Sequence, residues 1–138
     1  MKPYEQFEHT GDIGIKIYGN SPEQLFENAA RALFDLMTDL KKVLPRHQRI
    51  VEVTASEREE LLVNWLSELN YIFQTEYFLC ARFKITELSE TCLKAIVQGE
   101  PRNPEQHQIE VEIKAVTFHL LKIEATDDGW WGQVIFDI

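Results

Sequence analysis

The sequence predicts an α+β protein, with two helices packed on a largely antiparallel β-sheet sandwich, folded as a single domain over residues 1–138. Three observations lead there. Two stretches carry apolar residues at helical spacing behind capping signals, seven short runs read as strands, and several of those runs are joined by connections too short for a crossover between parallel strands. A length of 138 residues with 44% hydrophobic content suits one compact domain with a core of its own.

Taken in order, Tyr4 to Glu8 and Ile13 to Tyr18 read as the first two strands. In the second, Ile13, Ile15 and Ile17 alternate with Gly14, Lys16 and Tyr18, as expected when one face packs on helices and the other is wetter. Ser21 as N-cap, Pro22 at the first helical position and Gln24 three residues after the cap open a helix. Leu25, Ala29, Leu33, Leu36 and Met37 give it one apolar face from about Pro22 to Thr38. Arg49 to Thr54 reads as a strand. Ser56 and Glu59 then form an expected capping box, and Leu62, Trp65, Leu66, Leu69, Ile72 and Phe73 trace a second helix to about Tyr77.

Ala81 to Glu87 and Leu93 to Gln98 read as a hairpin turning near Ser89 and Glu90. Cys80 and Cys92 then lie far apart along its ladder, so a disulfide is not expected. The stretch Gly99-Glu100-Pro101-Arg102-Asn103-Pro104 is punctuated by turn formers and is expected to be the longest irregular segment. Val116 to Glu124 and Trp130 to Ile138 complete the strands, and their order in the sheet is left open.

Acidic side chains number 23 against 14 basic ones, a formal charge of −9 and the wrong sign for holding phosphate backbones over a broad surface. General, direct nucleic-acid binding is therefore disfavoured. Lys41, Lys42, Arg46 and Arg49, with His47 among them, form a basic stretch read as a solvated loop. The N-terminal residues carry no apolar run of signal-peptide type and no stretch is long enough to cross a bilayer, so a cytoplasmic location without membrane contact is expected. Reduced thiols suit that compartment.

Common catalytic signatures are missing: there is no G-x-x-x-x-G-K-[ST] loop, no G-x-S-x-G elbow and no C-x-x-C. Three carboxylates stand where a regular element begins or ends, namely Asp12, Asp39 and Asp137. Asp137 follows the apolar run Val134-Ile135-Phe136, and with the α-carboxylate of Ile138 beside it offers the oxygen ligands that Ca²⁺ and Mg²⁺ require. The plain alternative is a solvated carboxylate at a frayed end. His9 and His119 lie in strand-like surroundings and are expected in hydrogen-bonded structural roles, whereas His47 and His107 are expected in loops. Lys114, between Ile113 and Ala115, is a buriable lysine suited to contact with an anion or a carboxylate, although an amphipathic stem with its head in water is the commoner case. Trp65, Trp130 and Trp131 are read as core rather than a base-stacking platform, since no basic groove accompanies them.

Together these segments resemble the archease family. The resemblance is carried by His9-Thr10-Gly11-Asp12-Ile13-Gly14, Leu33 to Asp39, Leu61 to Leu66, Gly99-Glu100, His107, Glu112 to His119 and the terminal Val134 to Ile138, in the family's order along the whole chain. It implies a non-catalytic activator of the RNA ligase that joins tRNA halves, one that promotes ligase guanylylation and multiple turnover and meets RNA only through the ligase. It also implies a divalent-cation site, calcium most often and magnesium as the alternative, on Asp12, Asp137 and Ile138, with Asp39 and Lys114 as further functional positions. The chain departs from the family pattern at Gly11, where alanine is usual, at Asn64, where aspartate is frequent, and at Arg102-Asn103, where an acidic residue is expected. The rival reading from another class is a metal-dependent phosphohydrolase using the same carboxylates, against which stands the lack of a general base near them in sequence.

Overall fold

The computed structural model describes residues 3–9 and 11–138, His9 through its backbone alone. Among these residues the elements are β1 (Tyr4–His9), β2 (Asp12–Gly19), α1 (Pro22–Met37), β3 (His47–Thr54), α2 (Arg58–Glu76), β4 (Phe78–Leu88), β5 (Cys92–Pro101), β6 (Ala115–Thr126) and β7 (Gly129–Asp137). They form two antiparallel sheets, one ordered β1-β2-β7-β6 and the other β3-β5-β4. The α+β class is as expected, and the strand order that the sequence left open is now defined.

Helix α1 starts as its sequence dictates. Ser21 Oγ accepts from the Gln24 N–H at 3.1 Å, while Gln24 Oε1 accepts from the Asn20 N–H at 2.6 Å. Helix α2 starts differently from the expected Ser56–Glu59 box. Its N-cap is Glu57, without a side-chain cap bond, and Glu60 rather than Glu59 reaches back to accept from the Ser56 N–H at 2.8 Å. The helix begins at Arg58, so the returning carboxylate must sit one residue later to reach the same amide. At its other end Tyr77 adopts φ 56°, and its N–H donates to Phe73 O at 2.8 Å to close the last turn.

The core joins both layers. Phe26, Leu33, Phe34, Trp65, Leu66, Leu69, Val134 and Phe136 are fully buried in one cluster drawn from both helices and both sheets. Burying a phenylalanine of this kind stabilises the fold by about 1.5–3 kcal/mol. The Trp65 indole N–H donates to Phe26 O at 2.9 Å, so the largest core side chain also ties α2 to α1. Trp130 is half-buried and packs against the core with the Arg58 guanidinium over its ring, whereas Trp131 departs from the core reading, half-buried and donating to Glu124 at 3.2 Å.

Three further expectations need correction. Gly99 and Glu100 belong to β5 and the irregular stretch is 102–114, because Gly99 lets β4 and β5 approach so closely that a Cβ there would lie 1.8 Å from Leu79 O. His47 is the first residue of β3, paired with Gly99, rather than a loop residue. The basic stretch is not simply solvated. Arg49 pairs with Glu76 at 2.7 Å and lies over the Phe78 ring, and Arg46 pairs with Glu100 at 3.4 Å. Cys80 is buried and Cys92 exposed, both free thiols, and their partners on β5 and β3 confirm that the ladder keeps them apart.

Candidate functional site

One row of residues crosses the end of the four-stranded sheet. His9 pairs with Asp12, Asp12 with Asp137, and Asp137 with Ala115. Two of the singled-out carboxylates, 125 positions apart in the chain, therefore stand directly opposite one another. In an antiparallel pair such residues have Cα atoms about 4.5–5.5 Å apart and side chains on the same face. Local sequence explains the placement. Gly11 turns the chain with φ +75° just before Asp12, and Val134, Ile135 and Phe136, all fully buried, fix β7 up to the residue at which it leaves the core.

Lys114 joins the row through its backbone, its N–H donating to Asp137 O at 2.8 Å. Its side chain is exposed and lines a cleft of about 580 Å³ between α2, β3 and β6, with Thr54, Asn64, Asn70, Tyr71 and Gln74. Asn70 and Gln74 both donate to Ile113 O, at 2.9 and 2.8 Å, and so fix the chain immediately before Lys114. No pattern in the sequence distinguished these two amides, which lie on the helix among core positions. Asn64 donates to Thr54 O at 2.9 Å, a bond that a carboxylate at this position could not make.

Asp39 is not part of this row. It caps the short 3-10 turn Leu40–Lys42, accepting from the Lys41 N–H at 3.1 Å, and lines a separate cleft of about 390 Å³ with Lys42, Arg102 and Glu110. The side chain of His9 lies outside the described residues. His119 is exposed on β6, with its backbone N–H on Thr117 Oγ1 at 3.3 Å. His107 does lie in the irregular stretch but is only 1% exposed, a burial that its polar neighbours in sequence gave no reason to expect. Its Nδ1 accepts from the Asn103 N–H at 2.9 Å, and its Nε2 lies 2.9 Å from Lys42 O and 3.1 Å from Glu100 Oε2. Arg102 and Asn103 build this turn: Arg102 Nε donates to His107 O at 3.2 Å.

The carboxylates of Asp12 and Asp137 are hard oxygen donors of the type suited to Ca²⁺ or Mg²⁺, as is backbone oxygen of Ile138, next in sequence to Asp137. Among the described residues no group of three or more His, Cys, Asp or Glu side chains is placed to hold a metal. A cation at the row would thus use two side-chain carboxylates and complete its sphere with backbone oxygens or water. Nor is any described helix long and apolar enough to cross a membrane.

Comparison with known proteins agrees with the resemblance over the whole chain. Residues 4–138 match the Archease protein family (MTH1598/TM1083). Protein archease from Methanosarcina acetivorans is 44% identical, over 99% of this chain and 97% of the relative, and that from Pyrococcus abyssi is 43% identical over 100% of both. The solution structure of Methanobacterium thermoautotrophicum protein 1598 superposes with a TM-score of 0.85 at 40% identity over 100% of both chains. The crystal structure of an archease described as a possible chaperone, from Thermotoga maritima, gives 0.68 at 26% identity over 97% of this chain and 96% of that one. With a match running from Tyr4 to Ile138 and relatives of this similarity along their full length, the chain belongs to the archease family.

Proposed function

We propose that this archease is a non-catalytic activator of a tRNA-splicing RNA ligase, acting in the cytoplasm and meeting RNA through the ligase. The observation that supports the reading is the pairing of Asp12 with Asp137, with the Lys114 N–H on Asp137 O, which brings three of the residues that the resemblance implies to one sheet end, Asp39 lying apart. In this reading Asp12, Asp137 and the α-carboxylate of Ile138 hold a divalent cation, Ca²⁺ or else Mg²⁺. The bound ion supplies positive charge at an otherwise acidic edge. The chain's own residues do the remaining work: buried Val134 to Phe136 fix the spacing of the carboxylates, Lys114 holds Asp137 O through its N–H and presents its ammonium to the cleft along α2, and Asp39 acts from its own cleft.

A non-catalytic role is supported by the sequence, which carries no phosphate loop and no recognisable nucleophile–base pair. The formal charge of −9 favours contact with a basic protein surface over contact with RNA. The test is a ligation assay with tRNA halves in excess of the cognate ligase. Adding this protein should raise product above the amount of ligase present, and radiolabelled GTP should leave no covalent label on the protein alone. Equal product with and without it rejects activation, and a labelled adduct formed without ligase rejects the non-catalytic assignment.

A further inference from the structure

We infer that Phe118 and Leu120, carried on a built bulge of β6, are the apolar anchor by which this chain grips a protein partner, which in the reading above, on which this inference rests, is the RNA ligase. The pairing of β6 with β7 is regular up to Thr117, opposite Ile135, and resumes at Lys122, opposite Gln133. Residues 118–121 therefore stand opposite Val134 alone. The protruding segment is held in place: Thr117 Oγ1 donates to Ile135 O at 2.9 Å and accepts from the His119 N–H at 3.3 Å, and Gln133 Nε2 donates to Leu120 O at 2.8 Å. Leu121 returns to pack on the core.

Two features of the bulge go beyond what the fold needs. Leu120 has φ +54°, a left-handed conformation that a bulky side chain adopts only where its surroundings impose it, and such strain concentrates at functional sites. Phe118 is 61% and Leu120 48% exposed, so the constrained segment points two large apolar groups into solvent. A bulge on an outer strand also prevents edge-to-edge pairing, a task that does not call for the two exposed apolar side chains of Phe118 and Leu120.

Position and charge select the occupant. Ala115, three residues before Phe118, is the partner of Asp137, so the bulge continues the strand that borders the carboxylate row. A second copy of a chain with charge −9 would be repelled. RNA is disfavoured because the bulge carries no Lys or Arg. An apolar pocket with a basic rim on another protein satisfies both the anchor and the neighbouring carboxylates.

The experiment measures affinity for the purified cognate ligase by calorimetry, ligation turnover and melting temperature for the wild type, Phe118→Ser and Leu120→Gly. Phe118→Ser should weaken ligase binding at least tenfold and reduce turnover, with the melting temperature unchanged to within about 2 °C because the side chain is already exposed. Leu120→Gly should weaken binding while leaving the melting temperature unchanged or raised, since glycine relieves the strained φ. Wild-type affinity in both variants overturns the anchor, as does a fall of more than about 5 °C in Phe118→Ser, which would make Phe118 part of the fold. A wild-type dimer that Phe118→Ser dissociates, or binding of a single-stranded RNA oligonucleotide that it abolishes, also overturns it. A wild type that binds the ligase without raising turnover rejects the proposed function while affinity still decides the anchor; one that does not bind the ligase rejects both.

Discussion

Glu100 and His107 lock the irregular stretch to the body of the protein, His107 Nε2 standing 3.1 Å from Glu100 Oε2 with both side chains buried. Glu100 Oε2 also accepts from the Leu44 N–H at 2.7 Å, and His107 Nε2 lies 2.9 Å from Lys42 O. Three separate segments thus meet at one buried polar cluster: the chain after α1, the end of β5 and the turn at 103–107. Both residues lie in stretches that carry the family resemblance, and the structure gives them a structural task.

His107→Ala is therefore expected to be among the more damaging single changes. It removes a partner from the buried Glu100 carboxylate and from the Asn103 N–H and leaves a void, which together should cost about 2–4 kcal/mol. Denaturant unfolding of the variant would measure it. A loss below about 1 kcal/mol would mean that water or a local shift replaces the imidazole.

At Gly11 the cost is conformational alone. A Cβ there would meet nothing within 4 Å, yet φ is +75°. Gly11→Ala should accordingly destabilise by about 1 kcal/mol through backbone strain and not through a clash. If thermal unfolding showed alanine neutral or stabilising, the turn before Asp12 would have to relax to negative φ at little cost.

Alkaline stability is the third prediction. Burial pushes the Cys80 thiol from 9.0 up to about 12, with Arg49 acting in the opposite, lowering direction. Because the folded value is the higher one, the contribution is fully present below pH 9 and is lost as pH rises toward 12. The Tyr4 hydroxyl, raised by burial and by its hydrogen bond to Asp35, acts in the same sense at higher pH. Chemical denaturation of the wild type should show stability falling across that window, and Cys80→Ala should flatten the fall while lowering stability throughout. Equal slopes for the two proteins would place the loss elsewhere.

How much of this was legible in the sequence follows from the range of the forces involved. The Ser21 cap and the apolar faces of both helices were readable because capping and amphipathic spacing act within a few residues. Strand order was not, since it depends on which edges meet after collapse. The bulge at 118–121 was invisible for the same reason: Val116 to Glu124 reads as one strand, and only the pairing with β7 exposes the extra residues. Asp12 and Asp137 were identifiable as element ends, but only β2 against β7 brings them opposite. Lys114 lies beside them, while Asp39, singled out by the same reasoning, lines a different cleft.

The last prediction concerns the carboxylate row itself. Two carboxylates directly opposite on neighbouring strands repel one another, and a shared cation converts that repulsion into attraction. Wild-type protein should bind Ca²⁺ in a calorimetric titration, and Asp12→Ala and Asp137→Ala should each weaken binding at least tenfold, because each removes one of the two side-chain ligands. A variant with a few residues appended after Ile138 separates the contribution of the α-carboxylate, since the extension converts that group into a peptide carbonyl while keeping both aspartates. If the α-carboxylate is a ligand, this variant should lose affinity too, with a melting temperature in the absence of Ca²⁺ close to wild type because Ile138 is already 39% exposed. Neither aspartate variant should gain the thermal stabilisation that Ca²⁺ gives the parent. Should all the variants retain wild-type Ca²⁺ affinity, the row holds no cation. Should only the extended form retain it, the ion is held by Asp12 and Asp137 without Ile138.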